Sequence, residues 1–240
     1  MTPALVAAAL AVVVGAALQR TTGLGFTLTA GPFLVLVLPP YEGVALANLL
    51  SMAVCAVVLV RSWRDVQLRR GAQIVAGAVL ALLPGAYVAR TLPAPALFVL
   101  IGSVVTAAGL VAAFDRPLPL LAGRPGAFLA GAASGFGNVT AGVGGPPLAV
   151  YATTTRWPRA AFVPTAQAVG LATNAMSLAA KHDARLHPAT VAGFLALMLL
   201  GVLCGGPLAR RMSDRVARAL VLALAITGGL VAVGKGLLTW

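Results

Sequence analysis

Charged residues are scarce in this chain. Only 9% of its 240 residues are Asp, Glu, Lys or Arg, whereas 60% are hydrophobic. A soluble domain carries roughly a quarter charged residues, so this composition excludes an ordinary soluble fold. Several apolar runs have nearly the length of about 20 residues that one membrane crossing requires. They are 3–18, 43–60, 72–89, 96–114, 160–180, 188–209 and 216–234. The chain is therefore predicted to be an all-α polytopic membrane protein.

Acidic residues are the scarcest charged type, with five against 17 Lys and Arg. They fall at the ends of the apolar runs or between them, at Glu42, Asp65, Asp115, Asp183 and Asp214. No carboxylate is thereby placed in the middle of a membrane, which argues against a cation pump. The two cysteines, Cys55 and Cys204, have no CxxC or Cys/His spacing, so the sequence predicts neither a disulfide nor a metal site.

The sequence contains no recognisable catalytic or nucleotide-binding motif. It has no GxxxxGK[ST] segment and no Ser/His/Asp or Cys/His set, so we expect no enzymatic activity and no cofactor. A net charge of +12 would suggest nucleic-acid binding in a soluble chain. Here the basic residues lie in short segments between apolar runs, as the positive-inside rule expects. We therefore expect the lipid bilayer, and no nucleic acid, as a partner.

Two Gly- and Thr-rich segments interrupt the apolar sequence. They are TTGLGFTLTAGP at 21–32 and GFGNVTAGVGGPP at 135–147. Lipid cannot satisfy freed backbone groups, so a membrane helix is broken mainly where the protein lines a cavity. Two breaks at matching positions of two halves are typical of a transporter binding site. The alternative interpretation is that the small residues only pack helices together.

The two halves of the sequence resemble each other beyond these breaks. Gly31-Pro32 matches Gly145-Pro146 at an offset of 114, and GAYVAR at 85–90 matches GGPLAR at 205–210 at an offset of 120. An insertion of six residues into the second half, near 152–159, would reconcile the two offsets.

The Pro-containing segment DRPLPLLAGRP divides the halves. We accordingly predict an N-terminal repeat at 1–114, a linker at 115–125 and a C-terminal repeat at 126–240. Each repeat is read as one broken segment followed by three transmembrane helices.

Loop charges predict that the two repeats are inverted. If segment 126–151 enters the membrane and returns to its own side, the loops on the side of 61–70 hold 12 Lys and Arg against four opposite. If the segment crosses the membrane, the counts are nine and seven. The first arrangement obeys the positive-inside rule better. Each break is then a re-entrant hairpin of two half-helices, in a plasma (inner) membrane protein with both termini outside.

Half-helices that begin within the membrane direct unpaired N–H groups and a positive dipole end at its centre, which favours an anion. The candidate substrate-binding residues are small or carry neutral hydrogen-bonding groups. They are Thr21, Thr22, Gly23, Gly25, Thr27, Asn48, Ser51, Gly137, Asn138, Thr140, Gly142, Gly144, Gly145, Gln167 and Asn174. Among them, Asn48 and Gln167 are the strongest candidates for substrate contact, although interhelical hydrogen bonds would explain their polarity equally well. Arg20 is either a fixed positive charge near the anion or a residue that reaches the interface.

The motifs also support a family resemblance. The pattern G-x-G-x-x-x-x-x-G-P at 23–32, repeated as GFGNVTAGVGGPPL at 135–148, resembles the TauE/SafE family, as do ALAN at 45–48 and the two GxxxAR endings. The resemblance covers essentially the whole chain and implies a secondary transporter that exports sulfite or an organosulfonate by alternating access. The alternative is an anion channel lined by the same hairpins. A homodimer is a further expectation.

Overall fold

A computed structural model describes residues 2–22, 25–114, 116–211 and 213–239, with side chains described except those of 20–22, 206–211 and 214. These residues form α-helices joined by short turns, and they include no strand. The helices are α1 (Pro3–Thr22), α2 (Phe26–Val37), α3 (Pro40–Leu59), α4 (Leu68–Thr91), α5 (Ala94–Phe114), α6 (Gly123–Ala141), α7 (Gly145–Thr154), α8 (Arg159–Ala180), α9 (Pro188–Arg211) and α10 (Asp214–Leu238). The all-α prediction is confirmed.

Five helices of the described residues are long and apolar enough to cross a membrane: α3, α4, α5, the Pro188–Gly205 part of α9, and α10. Their outward faces carry large hydrophobic side chains such as Leu80, Leu83 and Leu203, each more than 60% exposed. Such faces are unfavourable in water and suit lipid. The chain is therefore a multi-pass membrane protein.

The second five helices follow the first five at a constant spacing. Helices α6, α9 and α10 each begin 120 residues after α1, α4 and α5, and helices α7 and α8 each begin 119 residues after α2 and α3. The predicted offset of 114 is therefore wrong, as is the insertion near 152–159. Gly31-Pro32 lies inside α2, whereas Gly145-Pro146 opens α7, so the two Gly-Pro pairs are not equivalent positions.

An offset of 119 gives a different alignment of the breaks. QRTTGLG at 19–25 now matches NVTAGVG at 138–144, and Gly25 and Gly144 each immediately precede the short second helix of their pair. The same offset aligns Gln19 with Asn138 and Asn48 with Gln167.

The loops gather at two opposite ends of the helix bundle. The arginine end, as we name it, brings Arg69 and Arg70 of α4 beside Arg124 of α6 and Tyr151 of α7. The Tyr41 end brings the start of α3 beside the α4–α5 and α8–α9 turns, where the Tyr41 hydroxyl donates to Asp183 Oδ1 over 2.8 Å. The segments 61–70 and 115–125, which the loop charges predict to lie on one side of the membrane, therefore meet at the arginine end.

Helices α6 and α7 form a hairpin that returns to the arginine end. The backbone N–H of Leu118, just before α6, donates to Thr154 Oγ1 at the end of α7 over 2.9 Å. Its turn contains Gly142, whose positive φ of 72° is accessible to glycine at little cost. The hairpin therefore enters the bundle from the arginine end.

Helices α1 and α2 form the corresponding hairpin from the Tyr41 end. Gly201 and Gly205 of α9 pack against Val13 and Ala17 of α1, so the two helices run in the same direction, away from the Tyr41 end. Lys235, near the C-terminal end of α10, donates to the Leu36 carbonyl at the end of α2.

The arms of the hairpins are unequal, which corrects the prediction of two half-helices. The first arms, α1 and α6, have 20 and 19 residues, or about 30 Å at 1.5 Å per residue. The second arms, α2 and α7, have 12 and 10 residues, about 15–18 Å on the same basis. Only the returning arm of each hairpin is a half-helix.

Glycines bring the long arms against their neighbours. Gly131 of α6 packs directly on the Ile74 carbonyl of α4, and Gly205 of α9 packs on Ala17 of α1. Small residues allow such close backbone approach in membrane helices. The contacts leave α3 and α8 packed against each other at the centre, between the two hairpins.

Candidate functional site

A small polar cavity lies midway along α3 and α8, between the two hairpins. Its volume of about 40 Å³ is room for roughly three water molecules at about 10–15 Å³ each. The residues that line it are Gln19, Thr27, Ser51, Cys55, Ser134, Asn138, Gly144, Gly145, Leu148, Ala166, Gln167, Gly170, Thr173 and Asn174. Its polar side chains are all buried, and they come from both hairpins and both central helices.

Many of the residues predicted from sequence meet at this cavity. Thr27, Ser51, Asn138, Gly144, Gly145, Gln167 and Asn174 line it. Gly23 lies outside the described residues, as do the side chains of Arg20, Thr21 and Thr22. The structure therefore gives no account of the predicted fixed charge at Arg20.

Other predicted residues lie away from the cavity. Asn48 Nδ2 donates to Ser177 Oγ over 2.6 Å, and Gly142 packs beside Asn48. Thr140 donates back to the Phe136 carbonyl within α6. Gly25 and Gly137 line apolar grooves instead. The Asn48 contact therefore connects two helices, and the Thr140 hydroxyl bonds within its own helix.

A chain of amide hydrogen bonds forms one wall of the cavity. Asn138 Nδ2 donates to Asn174 Oδ1 over 3.0 Å, and Asn174 Nδ2 donates to Ser51 Oγ over 3.0 Å. The chain joins the second hairpin, α8 and α3. Buried amides are costly unless they are paired, so these bonds determine how the three helices meet.

Gln19 is a cavity residue that the sequence reasoning missed. Its Nε2 donates to Gln167 Oε1 over 3.2 Å, and its Oε1 accepts from the backbone N–H of Phe26 over 2.9 Å. Alignment of the two Gly-Pro pairs concealed Gln19, whereas the 119-residue offset aligns it with Asn138. The GLG triplet at 23–25 and the GVG triplet at 142–144 are the sequence signal that gives this offset.

The two short helices present fewer backbone donors than the sequence analysis expects. The first amide of α2, that of Phe26, is already bonded to Gln19. The second and third residues of α7 are Pro146 and Pro147, which have no N–H. The cavity therefore meets α7 chiefly through Gly145 and Leu148, and side-chain amides and hydroxyls supply most of the remaining donors.

Among the residues whose side chains the structure describes, no Asp, Glu, Lys or Arg lines the cavity. A cation lies a short distance along the hydrogen-bond network: Lys181 Nζ donates to Ser177 Oγ over 3.1 Å, the same oxygen that accepts from Asn48. Lys181, which follows α8, is only 3% exposed. Burial lowers its pKa to about 7. Sequence reasoning counted Lys181 among the ordinary loop charges.

The Tyr41 end is held by a polar cluster of two helices and a loop. Arg90 of α4 pairs with Asp183 over 3.0 Å, and Asp183 also accepts the Tyr41 hydroxyl. The hydrogen bond from Tyr41, followed by that from Arg90, lowers the pKa of Asp183 to about 2. The cluster ties α3 and α4 to the α8–α9 loop.

The described residues contain no group of three or more His, Cys, Asp or Glu able to hold a metal ion. The fold and cavity define a polytopic helical membrane protein with two helical hairpins around a buried polar site. Residues 7–232 match the family described as "Sulfite exporter TauE/SafE", and the chain belongs to that family of membrane transporters. No curated protein and no solved structure matches the chain.

Proposed function

We propose that this protein is a secondary transporter that exports sulfite or a small organosulfonate through the central cavity. The observation that carries the proposal is the position of the cavity, midway between two hairpins that enter from opposite ends. A site placed between two such units can be exposed to one side at a time when the units move against each other.

The lining favours a small polar anion over a cation. No carboxylate of the described side chains faces the cavity, while Asn138, Asn174, Gln167 and Thr27 carry groups able to donate hydrogen bonds. The Gly145 end of α7 adds the positive end of a helix dipole. The family supports a sulfur oxyanion as the substrate.

We propose further that 1–114 and 126–240 are inverted repeats joined by 115–125. The constant spacing of 119–120 residues between helix starts supports this division, although α6 begins at Gly123, within the linker. The packing is also consistent with it, because α1 packs on α9 as α6 packs on α4, and α2 packs on α10 as α7 packs on α5.

The arginine end is proposed to face the cytoplasm of a plasma (inner) membrane, since it carries Arg69, Arg70 and Arg124. Both termini would then be extracytoplasmic. A homodimer stays a prediction.

Sulfite efflux from reconstituted vesicles tests the proposal. Gly144→Leu would place a side chain against Ser134 Oγ, which lies 2.8 Å from an ideal Cβ at that position, and so fill the cavity. Gly193→Leu is the matched control because no heavy atom lies within 4 Å of its Cβ position. We expect Gly144→Leu to abolish efflux and Gly193→Leu to retain it. Equal efflux in the two folded variants would refute the proposal.

The same vesicles separate a carrier from a channel. The cavity is small and its polar lining is buried, which favours a carrier. Sulfite on the far side should therefore accelerate efflux and flux should saturate, whereas a linear flux without such stimulation indicates the channel.

A further inference from the structure

Four amide side chains, three in the cavity lining and Asn48 away from it, form two equivalent pairs. Gln19 and Asn138 lie near the ends of α1 and α6, and Asn48 and Gln167 lie in α3 and α8. The 119-residue offset relates Gln19 to Asn138 and Asn48 to Gln167. The pair Gln19–Gln167 therefore corresponds to the pair Asn138–Asn48.

Only one of these pairs is bonded. Gln19 Nε2 donates to Gln167 Oε1, which ties the first hairpin to α8. In the other pair, Asn48 Oδ1 and Asn138 Oδ1 are both buried and have no hydrogen-bond partner. Their Nδ2 groups donate elsewhere, to Ser177 and Asn174. A buried acceptor without a partner is unfavourable, and two within one pair need an explanation.

The unbonded pair is already close in the fold. The Gly142 N–H donates to the Asn138 carbonyl over 2.8 Å. An ideal Cβ on the same Gly142 would lie 3.6 Å from Asn48 Oδ1. One turn of the second hairpin therefore separates the two amides, and a modest shift of that hairpin relative to α3 would bring them together.

We propose that the two amide pairs form alternately. In the state seen here Gln19–Gln167 holds the first hairpin to α8. In the alternate state that pair separates, and Asn138 Nδ2 donates to Asn48 Oδ1 in place of Asn174 Oδ1. This inference rests on the proposed transport function, and it assigns Gln19 and Asn48 as positioning residues that select between the two states. The exchange gives the buried Asn48 Oδ1 the donor that it lacks in the state seen here.

Cysteine cross-linking tests the alternation in a background of Cys55→Ala and Cys204→Ala. One variant carries Gln19→Cys with Gln167→Cys, a second carries Asn48→Cys with Asn138→Cys, and a third carries all four. Both double variants should cross-link on oxidation without added sulfite, because each molecule samples both states. In the fourfold variant each molecule should carry only one of the two cross-links.

A control pair joins the two central helices. An ideal Cβ at Gly170 is 3.0 Å from Cys55 Sγ, so Gly170→Cys with Cys55 retained should cross-link α3 to α8 and serves as the positive control for disulfide formation. The alternation is wrong if the 48–138 pair never cross-links while the control does, or if one fourfold molecule carries both cross-links.

Hydrogen exchange provides a second measurement on the unsubstituted chain. When sulfite is added, exchange at Phe26, held by Gln19, and at Gly142, beside Asn48, should change in opposite directions. Parallel changes would overturn the inference. If the cross-links alternate and an added organic anion moves the two exchange rates in opposite directions, but no sulfite or sulfonate is transported, the substrate assignment fails and the alternation stands. If flux is normal and the cross-links do not alternate, only the alternation fails.

Discussion

The Lys181 ammonium group donates a hydrogen bond to the backbone carbonyl of Val139. The bond joins the end of α8 to the second hairpin, three residues before its Gly142 turn. Lys181 also donates to Ser177 and lies 5.9 Å from the Tyr41 ring centroid. One buried cation thus connects the tip of a hairpin to the network that leads to Asn48.

Lys181→Met should remove a pH dependence of stability. Burial lowers the pKa of Lys181 from 10.5 to about 7 in the folded chain. Between these values the unfolded chain binds more protons, so the unfolding free energy should rise as pH increases from about 7 to 10.5. The upper limit is several kcal/mol, at about 1.4 kcal/mol per pKa unit.

Thermal unfolding in detergent across that pH range measures the effect. Lys235→Met is the matched control, since Lys235 also donates to a backbone carbonyl, that of Leu36. The control should keep the slope of the wild type and Lys181→Met should flatten it. An unchanged slope in Lys181→Met would show that another group titrates.

Asp183→Asn should weaken the Tyr41 end in a way that depends on acid. Tyr41 and Arg90 lower the pKa of Asp183 from 3.8 to about 2, so its contribution is present above about pH 4 and is lost as pH falls through 2. The difference in unfolding temperature between wild type and Asp183→Asn should be small, since the pair is exposed, and it should vanish in strong acid. A difference that grows on acidification would contradict this account.

Gly131→Ala should destabilise the fold without touching the cavity. Its methyl group would collide with the Ile74 carbonyl at the contact of α6 with α4. Overpacking of this kind costs about 1–3 kcal/mol. Gly193→Ala, which has open space around it, is the control. Equal unfolding temperatures for the two variants would mean that the α4–α6 contact adjusts freely.

The class of fold could be predicted from the sequence, because apolar run length and the positions of charges reflect the bilayer directly. Asn138 and Gly144 could be identified because they stand in a Gly-rich segment in which a membrane helix is interrupted. The alignment of the two repeats was predicted less well. Each break contains a Gly-Pro pair, but one pair lies inside α2 and the other opens α7. Aligning the two pairs concealed Gln19.

Contacts between residues distant in sequence also could not be predicted from the sequence. Lys181 follows α8 in a segment rich in charge, and only packing against Tyr41 and Val139 shows that it is buried. In the same way, Asn48 bonds to Ser177, 129 residues away, rather than lining the cavity. Spacing within one helix predicts which residues share a face, but it does not predict which helix that face meets.

Equilibrium binding of radiolabelled sulfite to the purified protein tests the central claim most directly. We predict one saturable sulfite site per chain. Sulfonates should compete with sulfite for this site, and simple cations should not. Asn138→Leu should abolish binding, because it removes an amide from the cavity wall, while Gly193→Leu should bind as the wild type does. Undiminished sulfite binding by a folded Asn138→Leu variant would contradict the assignment of the central cavity as the substrate site.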